Sequence, residues 1–298
     1  VPLGGLRAMT VRRTLPNRDR TTIGAWCFID HFGPNKTQDT GGMSVAPHPH
    51  TGLQTVSWLF AGEVEHRDSV GSHQFVSPGQ LNLMTAGSGI AHSEVSTHKS
   101  EWLHGVQLWI ALPDEHRHVS PFFEHVIPPR VTVPSSAGDA TVTVFVGQLF
   151  GVESHATVFS PLVGAEILLP AQSQLVVPVD ATFEHGVLID RGALEVNDEH
   201  GDASDLMYVS PGVGQLALHS GDEPVRAVLL GGVPFGEQLV MWWNFIGRTH
   251  EEIVAFRDAW QSDVIDNGNA AGTFGHVEFD GAAIPAPDMP KVRLRARG

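Results

Sequence analysis

The sequence contains little cysteine, tyrosine or lysine. Its 298 residues include one Cys and one Tyr, and Lys occurs only at positions 36, 99 and 291. Because Cys27 has no second cysteine to pair with, an intramolecular disulfide is excluded, which is typical of proteins in a reducing compartment. No apolar run has the length that spans a membrane, and no signal-peptide pattern opens the chain. We expect a cytoplasmic protein that does not bind membranes.

Positive charge is scarce as well. The chain has 18 Lys and Arg against 33 Asp and Glu, a formal net charge of −15 at pH 7. Because binding to phosphates requires concentrated Lys and Arg, we expect no direct contact with nucleic acid. The basic cluster from Lys291 to Arg297 is interpreted as a solvated terminus.

Histidine, by contrast, is abundant. The sequence has 17 His, and eleven of them lie between His31 and His125, so we expect the chemistry in the first half of the chain. The apolar fraction of 42% indicates a globular protein. The 32 Gly and 20 Pro indicate many turns between short strands.

Short runs rich in β-branched and aromatic residues predict strands along the whole chain. They are Thr55–Ala61, Gln80–Ala86 and Val106–Leu112, then Thr141–Val146, Ala165–Leu169, Gln174–Val179, Gly186–Asp190, Gln215–Leu218 and Val225–Leu230. Their regular spacing without intervening helices favours antiparallel barrels or sandwiches over a parallel sheet with crossover helices. The two successive β-rich halves indicate a duplicated barrel.

A turn-rich linker is predicted between the halves. Two prolines at 128 and 129 precede the run Val133–Asp139, which is rich in turn residues. We therefore predict an N-terminal domain over residues 1–132 and a C-terminal domain over 133–298.

One helix is predicted near the C-terminus. Thr249 is its expected N-cap, and Glu252 completes a capping box. Ile253, Phe256 and Trp260 recur at helical spacing and predict a stripe that packs on the core.

Two short motifs each contain two potential metal ligands separated by one residue, the spacing that places both side chains on one face of a strand. Residues two apart in a strand point to the same side, so the run 48–50 (His-Pro-His) directs two imidazoles into one space. The run 92–94 (His-Ser-Glu) does the same with an imidazole and a carboxylate. If the two segments are neighbours inside a barrel, three nitrogens and one oxygen converge. Such a set suits Fe(II), Mn, Ni or Cu and leaves coordination positions open for a substrate or dioxygen.

One pair of histidines two residues apart gives only weak support for a metal site, because 17 His produce about one such pair by chance. His116 and His118 form a second pair, which we interpret as a polar loop. The first pair differs in its setting: Gly42 precedes it by six residues and Gly89 precedes His92 by three, spacings similar to those of the cupin motifs. The alternative is a set of surface and core histidines with ordinary hydrogen bonds.

The resemblance to one family is more specific. Several runs resemble those of pirins and occur in the same order: Val11–Pro16, Asp30–Pro34, His48–Gly52, His66–Ser69, Met84–Glu94 and Gln107–Trp109. The second half agrees in outline at Gly236-Glu237 and at Thr249–Ile253. The chain is similar to pirins over nearly its whole length.

This resemblance implies a bicupin, with two antiparallel β-barrels of the cupin type and a short C-terminal helix. It also implies one metal ion, usually iron, in the N-terminal barrel only. The ligand positions correspond here to His48, His50, His92 and Glu94. We expect Fe²⁺ and leave Mn, Ni and Cu open, because the same ligands accept all of them. On the strands of the second half, Glu184 and His185 are adjacent and therefore predicted to face opposite ways.

One position departs from the pirin pattern. Pirins usually have Glu four residues after the second histidine of the first motif, whereas this chain has Gln54. An Arg that is common two residues before that Glu in pirins is also absent, since this chain has Gly52 there. In pirins that Glu is generally not a ligand, so we expect metal binding to survive. A neutral amide cannot act as a general base, so the change bears on catalysis.

The resemblance implies two functions, and the residues leave a third open. Some pirins resemble flavonol dioxygenases that cleave quercetin with loss of carbon monoxide, which implies a small aromatic or flavonoid-like substrate. Other pirins are redox-responsive regulators that bind a transcription factor or a metabolic enzyme, which implies a protein partner. The third hypothesis is a metal-binding protein without catalysis.

Under the enzyme hypothesis, Glu94 is the predicted catalytic base, which accepts the proton of the flavonol 3-hydroxyl. His66 and Asp68 either support the orientation of a ligand or stabilise a turn at a strand end. Three aromatic residues either line a substrate pocket or pack in the core: Phe28, Trp58 and Trp109.

Overall fold

The computed structural model describes residues 10–268 and 271–298, and most of this part of the chain is antiparallel β-structure. Its strands in chain order are β1 (Val11–Leu15), β2 (Trp26–Lys36), β3 (Ser44–His50), β4 (Leu53–Ala61), β5 (Val64–Asp68), β6 (His73–Val76), β7 (Leu81–Thr85), β8 (Ile90–Ser96), β9 (Trp102–Ala111), β10 (Phe122–Val126), β11 (Arg130–Ser135), β12 (Gly138–Val146), β13 (Gln148–Leu149), β14 (Val152–Glu153), β15 (Leu162–Leu169), β16 (Gln174–Pro178), β17 (Glu184–Arg191), β18 (Leu194–Val196), β19 (Glu199–Gly201), β20 (Leu206–Val209), β21 (Gln215–Ser220), β22 (Val225–Gly232), β23 (Val240–Trp242) and β24 (Phe245–Gly247). The helices are α1 (Thr37–Thr40), α2 (His250–Trp260) and a π-helical turn, Gln261–Asp266.

The chain divides into two compact units. Unit 1 comprises the described residues of Val1–Arg13 together with Phe28–His125 and Gly236–Gly298. Unit 2 comprises Thr14–Cys27 and Val126–Phe235.

These units differ from the predicted domains 1–132 and 133–298, because Thr14–Cys27 belongs to unit 2 and the C-terminal segment Gly236–Gly298 belongs to unit 1. The contacts of that segment lie in unit 1, where Ile253 and Trp260 of α2 share an apolar cluster with Ala91 of β8 and Phe245 of β24. The linear order of the chain does not reveal this return to the first unit.

Unit 1 is a cupin-type barrel built from two sheets. The larger has the strand order β1-β2-β9-β4-β7-β10, and the smaller has the order β3-β8-β5-β6. Within the described residues, the ladders of the two sheets do not join into a closed ring. A small hairpin of β23 and β24 completes the strands of this unit.

Unit 2 repeats the arrangement of a six-stranded and a four-stranded sheet. Their orders are β11-β12-β15-β22-β17-β20 and β16-β21-β18-β19, with β13 and β14 as a separate hairpin. Alternate apolar residues of both sheets fill the core, for example Val142 and Val144 from β12 and Leu216 and Leu218 from β21. The prediction of an all-β protein with two cupin-type barrels and a short C-terminal helix is confirmed.

The nine predicted strands all coincide with observed ones, but the predicted linker was wrong. Most of Val133–Asp139 lies in the β11–β12 hairpin, where Val133 pairs with Ala140 and Ser135 with Gly138. Polar and small residues occur here because this hairpin is exposed along alternate positions and turns tightly at residues 136–137.

The capping box of α2 is formed only in part. The Thr249 side chain accepts a hydrogen bond from the Glu252 backbone N–H (3.2 Å), as predicted. The Glu252 carboxylate, however, accepts from the backbone N–H of Arg248 (2.6 Å). In the described part of the chain, no helix is long and apolar enough to cross a membrane.

Candidate metal centre

Three neighbouring strands of the smaller sheet of unit 1 present one polar face. In the β3–β8 ladder His48 pairs with His92, and in the β5–β8 ladder Asp68 pairs with His92 and His66 with Glu94. Because side chains alternate along a strand, this register puts six polar residues on the same face. They are His48 and His50 of β3, His92 and Glu94 of β8, and His66 and Asp68 of β5.

The register brings the four predicted ligands into two overlapping groups. Ligand atoms of His48, His50 and His92 all lie within 4.8 Å of one another. The Nε2 atoms of His50 and His92 are 3.1 Å apart. Glu94 belongs to a second such group that shares His92 and adds His66. All five side chains are buried.

Backbone carbonyls fix the rings of the two β3 histidines. His48 Nδ1 lies 2.9 Å from the Ala46 carbonyl oxygen, and His50 Nδ1 lies 3.1 Å from the Asn244 carbonyl oxygen. A carbonyl oxygen only accepts hydrogen bonds, so each Nδ1 carries the proton. The lone pair of each neutral ring is therefore on Nε2, the nitrogen free to bind a metal.

His92 is oriented by a chain of two further side chains. Its Nδ1 lies 3.3 Å from His66 Nδ1, and His66 Nε2 lies 2.9 Å from Asp68 Oδ2. The carboxylate accepts from His66 Nε2–H, so His66 Nδ1 is an acceptor and His92 Nδ1 is the donor. This leaves the lone pair of His92 on Nε2, beside His50.

Asp68 performs both of the roles that the sequence left open. Its Oδ2 orients His66, while its Oδ1 accepts hydrogen bonds from the backbone N–H groups of Val70 (3.1 Å) and Ser72 (2.9 Å) in the following turn. The same carboxylate thus stabilises the turn and supports the cluster.

Burial controls the charges of the cluster. It lowers the pKa of His48 to about 4, and it lowers the pKa values of His50 and His92 well below the ordinary histidine value, with nearby histidine charges adding to the effect. Burial raises the pKa of Glu94, and the hydrogen bond from the Ser57 hydroxyl partly opposes that rise. At neutral pH the three imidazoles are uncharged and able to donate lone pairs. A divalent cation fits this set, because it would supply the positive charge that a buried carboxylate requires.

The cluster lines a cavity of about 400 Å³ with an aromatic wall. Phe28 stacks on Trp109 with ring centroids 4.0 Å apart, and the rings of Trp109 and His50 are nearly perpendicular with centroids 5.3 Å apart. The Arg13 guanidinium lies 4.2 Å from the Phe28 ring centre and forms a two-point ion pair with Asp30 (2.8 and 2.7 Å). Phe28 and Trp109 therefore line the cavity. Trp58 does not line it and is buried in the core, on the opposite face of β4 from Ser57.

Gln54 lies away from this cavity. It is on the same face of β4 as Trp58, is fully buried, and donates from Nε2 to the Thr85 hydroxyl (2.9 Å). It is not among the residues that line the cavity.

Two other sequence predictions concern residues outside the cluster. His116 and His118 lie in a turn, with His118 exposed, which confirms the polar loop. Glu184 accepts hydrogen bonds from the Gly24 backbone (2.7 Å) and the Tyr208 hydroxyl (2.8 Å), whereas His185 lies beside Phe183, which confirms that the two face opposite ways.

The sequence reading missed Ser57 and Gln107, both close to Glu94. The Ser57 Oγ lies 3.0 Å from Glu94 Oε1 and 3.1 Å from Gln107 Oε1. Two signals were present: Ser57 is a small polar residue between the apolar residues Val56 and Trp58, and Gln107 is two residues before Trp109 and so on the same face of β9.

Comparisons with known proteins find similarity over both halves of the chain. The family model for Pirin matches residues 7–110, and that for the Pirin C-terminal cupin domain matches residues 164–266. A Pseudomonas aeruginosa protein provisionally named a quercetin 2,3-dioxygenase is 43% identical over 97% of this chain and 88% of its own. A pirin-like protein of Caulobacter vibrioides is 33% identical over 93% of this chain and 94% of its own.

A solved structure is also similar throughout. The crystal structure of a quercetin 2,3-dioxygenase from Acinetobacter baumannii superposes with a TM-score of 0.89 at 35% identity, covering 99% of this chain and 95% of that one. The two family models together match both halves of the chain, and each of the two relatives extends over both. This chain belongs to the pirin family.

Proposed function

We propose that this pirin binds one Fe²⁺ ion through His48, His50, His92 and Glu94 and acts as a flavonol 2,3-dioxygenase on quercetin-like substrates. The observation that supports it most is the buried cluster of three neutral imidazoles and a carboxylate in a cavity with an aromatic wall. The names of the Pseudomonas and Acinetobacter relatives support the substrate class. We propose no metal for unit 2, and the cytoplasmic location stays a prediction.

The side chains of the cavity account for binding and proton transfer. The metal would supply open coordination positions for the flavonol oxygens and redox chemistry toward dioxygen. Phe28 and Trp109 form an apolar aromatic wall against which the fused rings of a flavonol pack. The Glu94 carboxylate, which lines the same cavity, is the proposed base that accepts the proton of the 3-hydroxyl.

Burial of the ligands also keeps bulk water from the reacting atoms. His48, His50 and His92 are at most 7% exposed, so their nitrogens are reached only through the cavity. A deprotonated flavonol in this space reacts with dioxygen without competition from bulk solvent.

The test is turnover by protein loaded with Fe²⁺ under anaerobic conditions. Addition of quercetin and oxygen is expected to consume the flavonol and release carbon monoxide, measured by absorbance and gas analysis. Metal-free protein is the control. Elemental analysis of protein purified without a metal-affinity tag identifies the native metal among iron, manganese, nickel and copper. No turnover at full metal occupancy would exclude quercetin as the substrate.

The regulator hypothesis makes the opposite prediction. Metal-loaded protein would leave quercetin unchanged and would retain a transcription factor or metabolic enzyme in a pull-down, with a dependence on the oxidation state of the metal. The strongly acidic composition, with a formal charge of −15, is the feature that suits a basic partner.

A further inference from the structure

The hydroxyl of Ser57 connects the two sheets of unit 1 at Glu94. Ser57 on β4 and Gln107 on β9 are direct partners in the six-stranded sheet, whereas Glu94 is on β8 of the four-stranded sheet. Ser57 Oγ is within hydrogen-bond distance of both Glu94 Oε1 (3.0 Å) and Gln107 Oε1 (3.1 Å). Ser57 and Glu94 are buried, and Gln107 is half-buried and lines the cavity. A chain of polar atoms thus runs from the cavity wall to a proposed metal ligand.

The protons available on Gln107, Ser57 and Glu94 determine which group donates in each of these two hydrogen bonds. A serine hydroxyl has one proton and donates it to one acceptor at a time. A carboxylate that binds a metal is ionised and only accepts, so the Ser57 proton points to Glu94. The group of Gln107 that faces Ser57 must then be a donor. The oxygen and nitrogen of an amide exchange places when the amide group rotates. We therefore assign Nε2 of Gln107 to the position beside Ser57 in the metal-bound protein, in place of the Oε1 that lies there in this structure.

We propose that Ser57 and Gln107 are positioning residues that hold the Glu94 carboxylate in its ligating orientation, and that the Gln107 carbonyl oxygen faces the cavity as the acceptor for a further hydroxyl group of a polyphenol substrate. This inference rests on the proposed function, because it takes Glu94 as a metal ligand. With Nε2 directed at Ser57, the carbonyl oxygen is the amide atom left for a ligand.

The placement of Gln107 beside the aromatic wall supports this specificity. Gln107 and Trp109 are on the same face of β9, about 7 Å apart along the strand. A flat ring stacked on Trp109 therefore has edge substituents within reach of Gln107. An acceptor that is buried with a ligand discriminates against an analogue that lacks the hydroxyl, because the acceptor then stays unpaired.

The first part of the test measures metal affinity, not activity. Ser57→Ala removes the hydroxyl, and Ser57→Thr retains it. We expect chelator competition with Fe²⁺ under anaerobic conditions to show about tenfold weaker binding for Ser57→Ala. Ser57→Thr is expected to stay within about threefold of the unaltered protein, since its hydroxyl still donates to Glu94. Such a rescue separates a hydrogen-bonding role from one in packing.

The second part measures ligand discrimination. Quercetin carries several hydroxyl groups, whereas 3-hydroxyflavone keeps the chelating 3-hydroxyl and 4-carbonyl and lacks the others. We expect Gln107→Met to weaken quercetin binding about tenfold and to leave 3-hydroxyflavone binding within about twofold, measured by absorbance titration of metal-loaded protein. Gln215→Met, at an exposed position of β21 in unit 2, is the matched control and is expected to change neither.

The outcomes separate this inference from the proposed function. If the unaltered protein binds Fe²⁺ and converts quercetin while Ser57→Ala and Gln107→Met bind metal and both ligands as it does, the positioning role is wrong and the proposed function stands. If Gln107→Met weakens the binding of quercetin and 3-hydroxyflavone equally, the Gln107 carbonyl does not accept a hydrogen bond from a further hydroxyl group of quercetin. If the unaltered protein takes up no metal, both proposals are wrong.

Discussion

His48 and His92 face each other directly across strands β3 and β8, and their ring centroids are 4.4 Å apart. This pairing brings two motifs that are distant in the sequence to one face of a sheet. A β-bulge between Val45 and His48 determines which side chains of β3 face the cavity, so that both of its histidines are on the same face as His92. A shift of one residue would turn the imidazoles to the other side.

The first prediction concerns His50. His50→Ala removes one nitrogen donor, and we expect its metal content after dialysis to fall to a small fraction of that of the unaltered protein, measured by elemental analysis. Loss of one of the three nitrogen ligands is expected to weaken the binding of a divalent metal by about tenfold or more. His118→Ala, at an exposed position in a turn, is the matched control and is expected to keep full occupancy. Equal losses in the two variants would mean that the metal is elsewhere.

Local patterns predict which histidine and glutamate side chains share this site, but not which residues surround them. The spacing of His48 and His50, and that of His92 and Glu94, follows from strand alternation alone and was read from the sequence. Whether β8 is beside β3, and which residue faces which, depends on long-range pairing that periodicity does not encode. The Nδ1 acceptor of His50 is a carbonyl at Asn244, almost 200 positions further along the chain.

Long-range packing also explains why the predicted domain boundary differs from the observed one. The predicted division at 132/133 separated the C-terminal segment from the first barrel, yet Trp243 and Asn244 line the cavity that holds the imidazoles. They do so because the β23–β24 hairpin and α2 pack in unit 1 through an apolar cluster that includes Ala91. Apolar residues of this kind show that a segment is buried, not which core buries it.

The second prediction concerns Asp68→Asn. The amide oxygen can still accept from the turn N–H groups, but the amide nitrogen now donates toward His66 Nε2. His66 then carries its proton on Nδ1 and donates toward His92, which must place its own proton on Nε2 and lose its lone pair for the metal. We expect about 10- to 100-fold weaker metal binding by chelator competition, with little change in melting temperature of the metal-free protein.

A control separates this effect from loss of charge. Asp114→Asn removes an exposed carboxylate in unit 1 and is expected to leave metal affinity unchanged. Unchanged affinity in Asp68→Asn as well would show that the chain from Asp68 through His66 to His92 does not determine the tautomer.

The third prediction concerns Gln54→Glu, which restores the residue usual in pirins. Gln54 points away from the cavity, so we expect turnover of quercetin to stay within about twofold of that of the unaltered protein. The new carboxylate would be buried with the Thr85 hydroxyl as its known partner, so the free energy of unfolding is expected to fall by about 1–3 kcal/mol. Denaturant unfolding and steady-state kinetics measure the two effects. A clear rise in turnover would show that this position acts on the reaction.

The last prediction is a loss of stability of the metal-free protein on acidification. His48 has a pKa of about 4 when folded and 6.5 as its ordinary value, so between these values the unfolded chain binds more protons. Stability therefore rises with pH across this window, and the contribution present above pH 6.5 is lost as the pH falls toward 4. For His48 alone the loss between pH 7 and 5 is about 2 kcal/mol.

The other groups of the cluster modify this loss in known directions. His50 and His92 have lowered pKa values and add to it, whereas the raised pKa of Glu94 stabilises the folded chain at low pH and opposes it. Because three histidines favour the loss and only Glu94 opposes it, urea unfolding is expected to show a lower free energy of unfolding at pH 5 than at pH 7. His48→Gln should reduce the difference and His118→Gln should not. Equal pH dependence in the unaltered protein and His48→Gln would mean that His48 is not buried as a neutral ring.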